Sequence, residues 1–198
     1  MIVFTLAFPE RLGKYGATDF VRERLGMEVD LNSRNLCQKI GEYEVTVMDS
    51  RTVPAAVELG ILTGITGEDW FYDYKLGKPD TRLRIVEKLP FGYSSVVAFK
   101  NPENSNIIKR VASPYENISI DYIRKNNLEA EFFPIRGKTE GWVKTMTRLA
   151  DLGIDNQNSG KTIADTGLII VDKIMDSQAV IISKEYDIEV ARKIWRLT

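Results

Sequence analysis

The chain has 198 residues, 43% of them hydrophobic and 28% charged, with a formal net charge of −1. That length and balance fit a soluble globular protein with a real core and exclude an intrinsically disordered chain. The near-neutral charge supplies no basic field to hold a nucleic-acid backbone, and no apolar run reaches the roughly 18–20 residues of a membrane-spanning helix.

Strand and helix signals alternate from the start. Residues 2–8 are an apolar run that reads as a buried strand ended by Pro9; no basic segment precedes it, so it does not read as a signal peptide. Phe20, Val21 and Leu25 mark a helix closed by Gly26. Residues 43–48 alternate as a strand. A helix over 53–59 carries Pro54 near its start, where proline is tolerated, and ends at Gly60. A strand over 61–65, a turn at Thr66-Gly67, a helix over 69–74 and a loop over 76–80 follow. Strands are expected at 83–89 and 93–99, the second crossing into another lobe.

The alternation then repeats. Strands are expected at 107–112, 130–135 and 152–156, and helices at 115–125, 139–150 and 160–165. Ile118, Tyr122 and Ile123 share a face of the first helix, and Gly167 ends the last. Strands at 168–173 and 179–183 lead to a final helix over 185–197 that buries Ile188, Ala191, Ile194 and Trp195. This spacing predicts an α/β fold of two lobes, residues 1–92 plus 176–198 and residues 93–175, with mixed sheets covered by helices on both faces. Ligands of such folds sit in a central cleft at strand C-termini.

Histidine is absent and Cys37 is the single cysteine. A Ser-His-Asp triad, a Cys-His dyad and zinc sites built from His or Cys are excluded. Cys37 fits a reducing cytoplasm and reads as a small buried side chain. Any catalysis falls to carboxylates, hydroxyls, Lys and Arg, backbone amides or a hard metal ion.

The most informative stretch is Asp151-Leu152-Gly153-Ile154-Asp155-Asn156-Gln157-Asn158-Ser159-Gly160-Lys161-Thr162. A short strand leads through a polar loop into a helix, where backbone N–H groups and the dipole favour an anion. Ser159 and Thr162 add hydroxyls, Lys161 adds charge and Gly160 permits close approach. Asp155 stands where a carboxylate would meet ribose hydroxyls. A Walker A loop is excluded, because it needs glycine where Asp155 stands. Taken alone, the loop fits an ordinary helix cap with Asn158 or Ser159 equally well. Gly64-Ile65-Thr66-Gly67-Glu68-Asp69 repeats the strand–turn–helix pattern, but its acidic pair also simply suits a helix N-terminus.

Read together, these segments resemble the ATP phosphoribosyltransferase family. The resemblance rests on Arg110-Val111-Ala112 with Tyr115-Glu116-Asn117, on Gly137-Lys138-Thr139-Glu140, on Leu149-Ala150-Asp151, and on Asp155 with Ser159-Gly160-Lys161-Thr162. Val53-Pro54-Ala55-Ala56, Gly64 to Asp69 and Leu89-Pro90-Phe91-Gly92 continue it. The chain departs from the family pattern at Asp49, where the family has arginine, and at Thr52, where it has aspartate. The family's opening proline-lysine-glycine-arginine-leucine is here Pro9-Glu10-Arg11-Leu12.

The resemblance implies a fold like type II periplasmic binding proteins and a cytoplasmic short-form enzyme. That enzyme would transfer the phosphoribosyl group of phosphoribosyl pyrophosphate to N1 of ATP, with Mg²⁺ accompanying the pyrophosphate. The first lobe would take the nucleotide and the second the sugar phosphate. Asp155 and Arg11 are the implied catalytic residues. Asp151, Asp155, Asn158, Ser159, Gly160, Lys161 and Thr162 would bind phosphoribosyl pyrophosphate. Arg11, Arg51 and Glu140 would face the nucleotide, with Arg34 a further source of positive charge. A homodimer and a regulatory subunit related to histidyl-tRNA synthetase are the implied partners. The alternatives are a non-catalytic solute-binding or regulatory paralogue, or a cleft enzyme with a different acceptor.

Overall fold

Phe4–Pro9 forms strand β1, and its side chains alternate between two cores. Leu6 and Phe8 enter one and Ala7 the other, as the two-residue period of a strand dictates. The computed structural model describes residues 4–32, 35–103, 107–145, 149–158 and 161–197, with backbone alone for Lys161 and Thr162.

After β1 come a short turn α1 (Glu10–Leu12), a wide turn (Gly13–Ala17) and helix α2 (Thr18–Leu25). Strands β2 (Cys37–Ile40) and β3 (Tyr43–Met48) form an antiparallel hairpin, whose tight turn holds Gly41 at a φ of 62°. Helix α3 (Val53–Leu59), strand β4 (Thr63–Gly67), helix α4 (Glu68–Gly77) and strand β5 (Leu83–Lys88) follow. Next come β6 (Ser94–Lys100), β7 (Arg110–Ser113), α5 (Glu116–Lys125), β8 (Glu131–Pro134), α6 (Thr139–Lys144), β9 (Leu152–Gln157), α7 (Lys161–Asp165) and β10 (Ile169–Ser177). Strand β11 (Ala179–Lys184) and helix α8 (Ile188–Ile194) end the chain's regular structure.

The chain divides into two units, Met1–Gly92 with Gln178–Thr198, and Tyr93–Ser177. In the first, a six-stranded sheet runs β2-β3-β1-β4-β11-β5. Strands β3, β1 and β4 are parallel, and β11 joins β4 and β5 antiparallel. Ile181 goes to the core of Leu6, Phe8, Val21 and Trp195, while Val180 and Ile182 join Val53, Val57 and Phe71 on the other face. In the second unit a five-stranded sheet runs β10-β6-β9-β7-β8, with β8, β7 and β9 parallel and β6 antiparallel to its neighbours β9 and β10. Val97, Phe99, Ala112, Val143 and Ile163 form its largest core cluster. The expected mixed α/β architecture is therefore present in both units.

Several expectations shift. Strand β2 was not expected, and Cys37 on it is exposed rather than buried. Strand β4 begins at Thr63 because Gly60 and Ile61 still donate to Ala56 at the end of α3. Helix α6 stops at Lys144, since Thr145 turns extended (ψ 146°); of the expected helix, residues 146–148 lie outside the described residues. Strand β10 runs on to Ser177 through two bulges, at Ile170/Asp172 and Lys173/Met175. These bulges, with charged Asp172, Lys173 and Asp176, blunt an edge strand that exposes Ile169, Ile170 and Val171. The final helix is shorter than expected, but Ala191, Ile194 and Trp195 are buried and Ile188 packs against the same core. Among the described residues no helix is long and apolar enough to cross a membrane.

Candidate active site

Each unit has one central parallel strand with parallel neighbours on both sides. The strand order reverses there, and the crevice at the strand C-termini is where such sheets take ligands. In the first unit the central strand is β1, and Arg11, Asp49, Arg51 and Gly67 lie at or just after the ends of β1, β3 and β4. In the second it is β7, and Ser113, Thr139 and Asp155 to Asn158 lie at or just after the ends of β7, β8 and β9.

Asp155 is half-buried near the end of β9. Its Oδ2 accepts a hydrogen bond from the hydroxyl of Thr139, a fully buried side chain at the start of α6. Its Oδ1 accepts the Asn156 backbone N–H at 2.7 Å. The Asn156 side chain donates to Ser94 Oγ at 2.8 Å, which ties β9 to β6. Gly153 lies so close to Phe99 that a Cβ there would meet the ring at 2.5 Å. Packing on β6 thus fixes the strand that carries Asp155.

The other residues expected to hold the sugar phosphate divide. Asn158 is exposed at the bend after β9. Ser159 and Gly160 lie outside the described residues, as do the side chains of Lys161 and Thr162; Ile163, buried in the core, anchors α7. Asp151 is not with this group. It precedes β9 at the opposite end, about 13 Å of strand from Asp155. Its Oδ2 accepts the backbone N–H groups of Lys109 and Arg110 at 3.0 and 2.9 Å, with the Arg110 guanidinium 3.8 Å away. The geometry gives Asp151 the task of holding the start of β7. Tyr115 packs in the interior at 1% exposure, and its N–H is capped by Ser113 Oγ at 2.9 Å.

In the first unit, Arg51 forks onto Asp49 with Nε to Oδ1 at 3.1 Å and Nη2 to Oδ2 at 2.9 Å, and lies 5.7 Å over the Trp70 ring. Arg51 is therefore a paired cation. Arg11 is exposed on α1, and Arg34 lies outside the described residues. Glu140 is half-buried beside Thr139 in the second unit, whereas Arg11 and Arg51 belong to the first. Burial alone would raise the Asp49 pKa, but the hydrogen bonds from Arg51 and the charges of Arg51 and Arg11 outweigh it and hold the carboxyl below its ordinary value. A depressed carboxylate stabilises the fold above its unfolded pKa, and that contribution is lost as pH falls through the folded value. Asp49→Asn should thus flatten the loss of stability below about pH 4, measured by urea denaturation across the acid range.

Thr139, Trp70 and the Asp49–Arg51 fork were missed in the sequence. Asp49 and Arg51 stand two residues apart, a spacing that could have suggested their pairing. Nothing local ties Thr139 to Asp155, 16 positions on.

Two mixed α/β sheets, each reversing around a central parallel strand, define the class of periplasmic-binding-protein-like folds. The periplasmic aliphatic sulphonate binding protein SsuA from Escherichia coli shares the fold, with a TM-score of 0.58 and 10% identity over 99% of this chain and 69% of that one. Within that class the chain belongs to the ATP phosphoribosyltransferase family, whose profile, HisG, matches residues 50–198. The ATP phosphoribosyltransferase of Thermococcus gammatolerans is 29% identical over 171 residues, 83% of this chain and 79% of that protein. A chain of the ATP phosphoribosyl transferase (HisG:HisZ) complex from Thermotoga maritima matches with a TM-score of 0.81 at 18% identity, covering 96% of this chain and 92% of that one.

Proposed function

We propose that the chain transfers the phosphoribosyl group of phosphoribosyl pyrophosphate to N1 of ATP and releases pyrophosphate, the first step of histidine biosynthesis. Family membership over residues 50–198 supports the reaction. The observation that carries the substrate assignment is the Asp155 carboxylate, held by Thr139 at the C-terminal end of β9, just ahead of residues 158–162.

Asn158 to Thr162 would cradle the 5-phosphate, and Asp155 would accept the ribose hydroxyls. N1 of adenine supplies the electron pair for the new bond to C1, and pyrophosphate leaves with the pair of the broken C1–O bond. This chemistry needs charge neutralisation and alignment more than a proton shuttle, so a histidine-free chain can perform it. Mg²⁺ enters as the counter-ion of the pyrophosphate. Arg11, exposed beyond β1, would meet nucleotide phosphate, while Glu140, expected on the nucleotide side, adjoins Thr139 in the second unit. A cytoplasmic homodimer with a HisZ-like regulatory subunit fits the family, and the Thermotoga maritima neighbour was solved as a HisG:HisZ complex.

The Asp49–Arg51 fork favours a second reading. A paired guanidinium offers less charge to a triphosphate, so a protein that binds phosphoribosyl pyrophosphate but accepts another nucleophile, or none, would carry the same pair.

The test mixes the protein with ATP, phosphoribosyl pyrophosphate and Mg²⁺, alone and with a HisZ-type subunit. The proposal predicts pyrophosphate release with formation of the N1-phosphoribosyl adduct of ATP. Binding of phosphoribosyl pyrophosphate without release in either mixture selects the second reading, and absence of binding defeats both.

A further inference from the structure

We propose that Thr139 is a positioning residue, whose hydroxyl sets the orientation of the Asp155 carboxylate toward the ribose of phosphoribosyl pyrophosphate. The inference rests on the substrate assignment for Asp155 and adds a residue that the sequence did not single out.

Three observations support it. Thr139 is fully buried, so its hydroxyl has no solvent partner, and it donates to Asp155 Oδ2. Its place is set by packing: Ile135 before it and Val143 one helical turn after it are buried, both in the second unit's core. Ile135 also donates its backbone N–H to Ser113 O at 3.0 Å, tying the chain ahead of α6 to the end of β7. A β-branched side chain on such a support has little χ1 freedom, and its donor holds one direction.

On the other side of the pair, Asp155 sits in the paired part of β9, opposite Val97 of β6. The contact therefore joins a strand end to a helix start, both fixed by the core. An ionised carboxylate accepts roughly four hydrogen bonds, so the Thr139 contact is compatible with acceptance of ribose hydroxyls by the same group. Pre-setting the carboxylate removes part of the ordering cost of binding, which is the use of a supporting shell behind a ligand-contacting residue.

The experiment measures the Kd of Mg²⁺-loaded phosphoribosyl pyrophosphate by isothermal titration calorimetry on the full chain. Thr139→Val keeps volume and branching but removes the donor. It should weaken binding roughly tenfold, the scale of a hydrogen bond to a charged group. Thr139→Ser should restore wild-type affinity, a rescue that a packing role for the methyl group would not give. In an Asp155→Asn background, Thr139→Val should change nothing further, because the effect runs through Asp155. Thr139→Ala is the second hydroxyl-free variant should the valine chain not fold.

Wild-type affinity in the hydroxyl-free variants overturns the inference and leaves the substrate assignment standing, provided Asp155→Asn still weakens binding. Full additivity of the two substitutions also overturns it. An unchanged Kd in Asp155→Asn itself overturns both the inference and the assignment on which it rests.

Discussion

Asp155→Asn should weaken phosphoribosyl pyrophosphate binding roughly a hundredfold while leaving the fold intact. The size follows from losing charge-assisted hydrogen bonds to more than one ribose hydroxyl, each contributing about 1.5–3 kcal/mol. The fold should survive because asparagine keeps the shape and its carbonyl oxygen still accepts from the Thr139 hydroxyl. The sign is as informative as the size. A carboxylate that merely stood near a phosphate would repel it, and neutralising it would tighten binding. Calorimetry with Mg²⁺-loaded phosphoribosyl pyrophosphate reads the sign directly. Tighter binding would show that Asp155 is a neighbour of the ligand and not its acceptor.

Trp195→Ala should be the most damaging single change to stability in the first unit. Trp195 is 1% exposed, lies 5.9 Å from the Phe20 ring and belongs to the core under β1 and β11. Its indole N–H donates to Thr63 Oγ1 at 3.1 Å, and that hydroxyl in turn donates to Ile182 O at 2.8 Å. The substitution leaves a large cavity and removes a buried donor, a combined cost of about 3–5 kcal/mol. For a chain of this size that lowers Tm by roughly 10 °C. Trp195→Phe should recover most of the packing without the hydrogen bond. Urea denaturation gives the free energies, and a loss within about 1 kcal/mol for alanine would mean that α8 does not anchor the unit.

How much of this was legible depended on how local each signal was. Strands β1, β3, β5 and β11 announced themselves as apolar or alternating runs, because both faces of the first sheet are covered. Strand β2 gave no such signal. Cys37-Gln38-Lys39-Ile40 is a strand by pairing with β3, and an exposed edge strand needs no hydrophobic pattern. The last helix was legible through Ala191, Ile194 and Trp195, although its start was not, since residues 185–187 form a tighter 3₁₀ turn.

The site divided the same way. The position of Asp155, on a strand just ahead of a polar loop, was legible within ten residues. Asp151 drew the same reading from the same neighbourhood. Yet its carboxylate holds backbone N–H groups 41 and 42 positions earlier in the chain, at the start of β7, and only the sheet brings them together. Thr139 was overlooked for the converse reason: its partner Asp155 lies beyond a helix and a strand start. In the first unit, the Asp49–Arg51 pair turned a departure from the family pattern into an internal ion pair. Composition could show that both charges were present but not that they neutralise one another.

The most direct measurement is a crystal structure of the chain with phosphoribosyl pyrophosphate and Mg²⁺. The account predicts the 5-phosphate against backbone amides of residues 158–162 and a ribose hydroxyl within hydrogen-bond distance of Asp155, with the Thr139 contact kept. Sugar-phosphate density elsewhere, with Asp155 touching only protein, would contradict it.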